Sequence, residues 1–294
     1  MALFFPNING NLILTQLPYV SMPAYETVSQ DMETGVRFSF PRRGNVNITN
    51  NSYVSYPTRA LGRFSINYSV ITDSEVAVLQ NFFNQVAGKY GYFSFLDPDG
   101  NLLLWSENYT QSYWAKTGVT VTVNGGVTDP YGGSLASYLT AGSGDSWMEG
   151  LVGPSTGGMQ GYVFCVSAWV MALSANQQMF IGFVDSASAR DGTTWSLPQN
   201  VWKRIFYTSV RQNNNSFSAI LRSGGTWNSR TIALWGIQVA PTKGESAYKR
   251  THGGYFGYHQ YVRLDTDQIQ VRVVGPDQNS VALPCFEFQV DPSL

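Results

Sequence analysis

Alternation of bulky and polar residues dominates the chain, and one segment breaks it with helical spacing. In "GVRFSF", Val36, Phe38 and Phe40 share one face before Pro41 ends the run. "FSINYSVI" repeats the pattern with Phe64, Ile66, Tyr68 and Val70. The exception is "TDSEVAVLQNFFNQVAG". There Thr72 and Glu75 have capping-box spacing, Val76, Leu79, Phe83 and Val86 fall on one side, and Gly88 suits a helix end. The pattern predicts a single α-helix over about residues 73–87. "YFSFLDPDGN" follows as a strand ending in a tight turn at Pro98 and Gly100.

From about Leu102 the helical period disappears. Alternating runs predict strands in "VTVTV" (119–123), "SLASYLT" (134–140), "YVFCVSAWVMA" (162–172), "QQMFIGFVD" (177–185), "VWKRIFYTSV" (201–210), "SFSAILRS" (216–223) and "TIALWGIQV" (231–239). Short strands divided by Gly-, Asn-, Ser- and Asp-rich loops predict a β-sandwich or jelly roll. "IALWGIQVAPTKGESAYKRT" (232–251) reads as its closing strand and exit. Yet "QIQVRVV" (268–274) and "CFEFQV" (285–290) follow, joined by the turn-rich "GPDQNS". Two arrangements fit. Either the last two strands pair with strands of the opening segment, or one continuous sandwich carries a decorated C-terminus. Insertion at an exposed turn costs little loop-closure entropy. The mainly β chain is therefore expected to divide into residues 1–101 plus 252–294 and an inserted domain over 102–251.

Charged residues make up 13% of the chain, against about 25% in ordinary domains, and aromatics 14%. Such a surface suits lasting subunit contacts or a sugar-facing role. The net charge of −1 with scattered Lys and Arg gives no nucleic-acid footprint. No apolar run reaches the ~18 residues of a membrane span. "MALFFPNING" lacks a basic start and is interrupted by Pro6, which reads against a signal peptide. Its apolar residues are expected to pack against this chain or a neighbouring one. Cys165 and Cys285 lie far apart inside strand-like runs, so buried free thiols are expected rather than a disulfide, in keeping with a reducing cytosol.

The outer segments, "YETVSQDMETGVRFSF", "INYSVITDSEVAVLQNFFNQVAGKYGYFSFLDPDG" and "YVRLDTDQIQVRVVGPDQNSVALPCFEFQV", together resemble the distal tail proteins of long-tailed bacteriophages and gene transfer agents. The shared order is an early strand carrying an Arg, a helix ending in an FF segment and glycine, a strand reaching "F-x-D-P", and "V-R-L-D-T-D" before the last strands. The resemblance implies a β-sandwich plus helix that forms a ring, usually sixfold, between tail tube and hub or baseplate. A virion tail tip assembled in the host cytoplasm is the location it implies. The middle segment is similar to carbohydrate-binding-module-like jelly rolls of phage tail proteins. It opens with "NLLLWSENYTQSYWAKTGVTVT" and closes with "W-G-x-Q" and a "Y-x-x-T" exit. That resemblance implies a module for host-surface glycan or receptor contact.

Candidate chemistry is sparse. The only histidines, His252 and His259, lie in "THGGYFGYHQY", outside the expected insert, so no Ser-His-Asp or Cys-His arrangement can form within that insert. Two imidazoles with no clustered Cys or acid beside them do not make a zinc site. A carboxylate pair for glycoside hydrolysis would come from Glu107, Asp129, Asp145, Glu149, Asp185, Asp191 or Glu245, none at a motif spacing. Asp129 in "VTDPYGG" and Asp145 in "GSGDSW" are the candidates for a structural Ca²⁺; no other cofactor is expected. All eight tryptophans fall in 102–251. Trp169, Trp202 and Trp235 lie in strand patterns and read as core. Trp147, Trp195 and Trp227 sit in loop-like contexts and, with Tyr131, are the candidate ligand-binding residues, folded loop aromatics being the alternative. The expectation is a non-enzymatic structural protein of a tail tip, a hexameric ring contacting tube and hub proteins. A stand-alone carbohydrate-binding protein and a polysaccharide depolymerase are the alternatives.

Overall fold

The computed structural model describes residues 4–6, 12–16, 46–47, 53–54, 63–98, 100–123, 126–142, 144–153, 159–185, 189–213, 215–223, 230–253 and 257–287. The predicted strand carrying Val36, Phe38 and Phe40 lies outside these residues, as does Trp227. The described residues are mainly β with one α-helix. The chain forms two compact units, one from the residues up to Phe95 together with those from His259 onward, the other from Leu96–Tyr258.

The first unit contains β1 (Leu12–Gln16), β2 (Val46–Asn47), β3 (Tyr53–Val54), β4 (Arg63–Ile71), the helix α1 (Asp73–Gln85) and β5 (Phe93–Leu96). A pair of strands, β2 and β3, stands apart from the main sheet. Ten strands of the second unit follow in the chain: β6 (Trp114–Thr117), β7 (Val119–Thr122), β8 (Ser137–Ala141), β9 (Trp147–Leu151), β10 (Val163–Ala172), β11 (Gln177–Asp185), β12 (Arg190–Leu197), β13 (Lys203–Val210), β14 (Phe217–Ser223) and β15 (Thr231–Ala240). The chain then gives β16 (Tyr258–Leu264), β17 (Gln270–Gly275) and β18 (Gln278–Glu287).

The main sheet of the first unit runs β1-β4-β18-β16-β5, with β17 also paired to β18, so early and late strands interleave. Leu283 lies opposite Ile66, and Leu264 opposite Cys285. Ile66, Tyr68, Val281, Leu283, Cys285, Val262 and Leu264 are buried together with Val76, Leu79, Phe82 and Val86 of the helix side. Phe5 closes this core, its ring 5.1 Å from Phe82 and 5.7 Å from both Phe93 and Phe95. Phe5 of the apolar start therefore packs into its own chain. Burial of this cluster is what holds the helix, since a helix of 13 residues is marginal alone.

The helix ends follow local chemistry. The Thr72–Glu75 capping box is present, and the Asp73 N–H donates to Asp277 Oδ1 at 2.7 Å. At the other end the Gly88 N–H donates to the Phe83 carbonyl at 2.9 Å and the Ala87 N–H to Asn84 at 3.1 Å. That is the Schellman pattern, with Ala87 in the left-handed region at φ 56°. The helix thus stops at Gln85, short of the expected end, and Phe82 rather than Phe83 takes the inward place. Strict alternation in β4 also fails at its end. Val70 is exposed and Ile71 buried, where the β4–β18 register shifts between Asn279 and Val281.

The second unit is a jelly-roll sandwich of two five-stranded sheets, β13-β10-β15-β8-β7 and β12-β11-β14-β9-β6. Phe164, Phe183 and Phe217 meet between them at centroid distances of 5.2 and 5.5 Å. Its two chain ends are tied by Asn101, which is fully buried. Asn101 Nδ2 donates to the carbonyls of Ile237 (3.2 Å) and Lys249 (2.9 Å), while its Oδ1 accepts from the N–H groups of Leu103 and Val239, both at 3.1 Å.

Seven strands fall where the hydrophobic pattern predicts none: β1, β2, β3, β6, β9, β12 and β16. Three runs rather than two therefore follow residue 251. The expected connector "GPDQNS" is mostly strand, because Gly275 pairs directly with Gln278 and only Pro276 and Asp277 turn the chain. Cys165 and Cys285 are both free and buried, and burial pushes both thiols up.

Candidate functional site

The outer face of the β13-β10-β15-β8-β7 sheet carries an aromatic cluster. Val166 pairs with Tyr207, whose hydroxyl bonds Asp191 of the opposite sheet, so Val166, Ala168 and Val170 point into the sandwich. Trp169 points the other way. It lies opposite Trp235 on β15 and Arg204 on β13. A register shift beside this pair, with Gly236 at φ 63°, lets Tyr248 lie close: a Cβ on Gly236 would meet the Tyr248 ring at 3.3 Å. Tyr248 lies 4.5 Å from Trp235, centroid to centroid.

Tyr131 completes the cluster from a loop. Its ring is 5.1 Å from Trp235 and 6.4 Å from Trp169, yet it remains 69% exposed. Asp129 builds that loop. Its Oδ1 accepts from the N–H groups of Tyr131 (2.9 Å) and Gly133 (3.0 Å), and its Oδ2 from Leu135 (3.3 Å). A side chain at Gly133 would sit 2.5 Å from the Asp129 carboxylate. The indole of Trp202 donates to the Thr128 carbonyl at 2.9 Å and pins the loop to the sheet edge.

The charges touching the cluster are paired. The Arg204 guanidinium lies 6.0 Å from the Trp169 ring centre, 3.4 Å from Glu245, and bonds Ser167 Oγ (3.1 Å) and the Ser246 carbonyl (2.5 Å). Tyr248 donates to Glu107 at 3.1 Å, and Glu107 in turn meets Arg250 at 2.6 Å. Burial, with Tyr109 beside it, pushes the Tyr248 phenol up and keeps it a neutral donor. Two donors stand out. The indole N–H groups of Trp169 and Trp235 are buried without an acceptor, whereas those of Trp114, Trp195 and Trp202 each have one. An indole N–H hidden from water in this way is a costly group waiting for an acceptor.

Of the expected ligand residues that are described, Tyr131, Trp147 and Trp195, the structure brings only Tyr131 to this cluster. Trp147 lies in β9, not a loop, opposite Arg222, with the Arg190 guanidinium 5.3 Å from its ring. Trp195 lies in β12 and pairs with Met179, so it faces the sandwich interior. Its indole donates to Phe206 at 3.0 Å and Lys203 sits 4.8 Å from its ring, so it closes an edge between the sheets. Trp147 and Trp195 occupy opposite faces of one sheet, because Arg222 pairs with Phe180 and Trp195 with its neighbour Met179. Trp169, which reads as core in sequence, is half-buried on the outer face, and Trp202 lies outside the strands.

Six of the seven candidate acids, all but Glu149, are already engaged. Besides Asp129 and Glu107, Asp145 forms a two-point pair with Arg222 at 2.6 and 2.7 Å, which holds its carboxyl below the usual range. Asp191 accepts from Tyr207 and from Ser209. Asp185 caps the Ala189 N–H at 3.0 Å. Among the described residues no group of three or more His, Cys, Asp or Glu is placed to hold a metal ion.

No protein-family model and no curated protein sequence matches the chain. Among solved structures it is similar to the enzymatically active domain of tailspike protein 4 of bacteriophage CBA120, at 16% identity and TM-score 0.38 over 50% of this chain and 22% of that one. It is also similar to a family 22 carbohydrate-binding module of Clostridium thermocellum, at 12% identity and TM-score 0.39 over 50% of this chain and 97% of that one. A xylan-binding domain of Paenibacillus barcinonensis is similar at 15% identity and TM-score 0.37, over 49% of this chain and 96% of that one.

Proposed function

We propose that the chain is a non-enzymatic structural component of a phage-like tail tip, in which the Leu96–Tyr258 unit contacts a host-surface glycan through Tyr131, Trp169 and Trp235. The observation that carries the reading is an exposed tyrosine ring fixed beside two tryptophans whose indole N–H groups lack acceptors. Sugars offer C–H faces to such rings and oxygens to such donors, and aromatic residues gain contact area at small entropic cost. The engagement of Glu107, Asp129, Asp145, Asp185 and Asp191 in structural bonds supports binding rather than hydrolysis.

The first unit would serve assembly. Its sheet interleaves strands from both ends of the chain, which leaves the jelly roll free to vary while the ring-forming body is kept. Copies around a ring, sixfold in this reading, turn a weak sugar contact into an avid one. A glycan array probed with the full chain tests the binding half. At least one glycan bound by wild type and lost in Trp169→Ala is expected; no binding to any glycan overturns it. Negative-stain imaging with tail tube and hub proteins tests the other half. Rings are expected there, and a persistent monomer argues against the tail role.

A further inference from the structure

We infer that the glycan bound at the Tyr131 cluster is electrically neutral, and that Glu245 sets this selectivity by occupying Arg204. The inference rests on the glycan-contact reading and adds the class of sugar. An arginine beside an aromatic platform would ordinarily favour a uronate, sialate or sulfate, because its planar donors match such groups at two points. Here two of its three nitrogens, Nε and Nη2, are already engaged. The Arg204 guanidinium is ion-paired with Glu245 at 3.4 Å and donates to Ser167 Oγ and the Ser246 carbonyl.

The second charged group that reaches the cluster is cancelled in the same way, since Glu107, bonded to Tyr248, is paired with Arg250 at 2.6 Å. An anionic sugar would have to break a pair to find a partner. It would also meet the Glu245 carboxylate beside Arg204.

What the cluster does offer is two uncharged donors. Trp169 and Trp235 face each other across adjacent strands, and neither indole N–H has an acceptor. Trp235 is only 5% exposed, and the Tyr131 and Tyr248 rings lie against it, so a ligand reaches these donors by displacing a ring. The chemistry that repays this is a pair of neutral oxygens, as on a pyranose, with C–H groups left for the aromatic faces.

The test is calorimetric titration of the full chain with neutral oligosaccharides and with oligogalacturonate, sialyllactose and a sulfated oligosaccharide, each at low and high salt. Neutral sugars are expected to bind with an affinity that salt leaves unchanged. Trp169→Phe and Trp235→Phe, which keep a ring and remove the N–H, are each expected to weaken binding about fivefold, the worth of one hydrogen bond. Glu245→Gln, which releases Arg204, is expected to keep neutral binding and to admit an acidic sugar in a salt-sensitive way. Wild-type binding of acidic sugars that weakens with salt overturns the inference but leaves the glycan reading standing, and so does a Glu245→Gln profile identical to wild type. Binding of none of the sugars tested removes the glycan reading itself and this inference with it.

Discussion

Replacing Asp129 by alanine is the sharpest probe of how Tyr131 is presented. The carboxylate accepts two well-formed bonds at Oδ1, from Tyr131 and Gly133, and a longer one at Oδ2 from Leu135. Bonds to a charged acceptor are each worth about 1.5–3 kcal/mol, and the N–H groups released near the surface recover part of this from water. A net local cost of about 2 kcal/mol follows, which raises the population of the opened loop about thirtyfold. Asp129→Asn keeps a neutral acceptor at Oδ1 but turns a donor toward the Leu135 N–H, so it should cost about 1 kcal/mol, less than Asp129→Ala. Hydrogen exchange over residues 126–135 reads the opening directly. Added chelator should leave wild-type exchange unchanged, since protein N–H groups already fill these carboxylate sites. Equal exchange in wild type and Asp129→Ala would refute the reasoning. Loss of protection on chelation would make Asp129 a calcium ligand instead.

Other perturbations separate the forces at work elsewhere. Ala87→Gly should stabilise the first unit by about 0.5–1 kcal/mol, seen as a higher urea midpoint, because Ala87 holds φ 56° at the helix end. Asn101→Ala strips partners from two buried N–H groups, one buried C=O and one part-buried C=O, so it should destabilise the jelly roll by about 3 kcal/mol, read by chemical denaturation. Asp145→Asn tests the pair with Arg222, whose folded-state carboxyl lies below its unfolded value. Its contribution is therefore present at neutral pH and lost as pH falls through that lowered value. Because Asp145 is well exposed, the neutral-pH gap between wild type and Asn should stay under about 1 kcal/mol and close in acid.

Much of the first unit is legible in sequence where local chemistry decides it. Thr72, Glu75 and the three-to-four spacing of Val76 and Leu79 suffice to find the helix. The choice between Phe82 and Phe83 is not local, for it depends on Phe5 arriving from the far end of the chain. Strands β9 and β12 escape notice because Glu149, Gly150, Asp191 and Gly192 read as turn residues, although each pairs in register with a neighbour. Sheet partners, not intrinsic preference, make them strands. The site shows the same division. Tyr131 stands out as a loop aromatic, but Trp169 and Trp235 alternate like core residues, and nothing in their spacing says which face of the sheet they take. Trp147 and Trp195 carry the same loop signature as Tyr131 and sit elsewhere, on strands. The unpartnered indole N–H groups become visible only once every acceptor nearby has been placed.

The most direct measurement of the central claim compares Trp169→Ala with Trp147→Ala in the full chain, by calorimetric titration with a glycan that wild type binds. These two tryptophans belong to different sheets of the same sandwich, so the pair tells which surface recognises the sugar. The account predicts that Trp169→Ala lowers affinity at least tenfold, the loss of about 1.4 kcal/mol or more, while Trp147→Ala leaves it unchanged. Retained binding in Trp169→Ala together with loss in Trp147→Ala would contradict it.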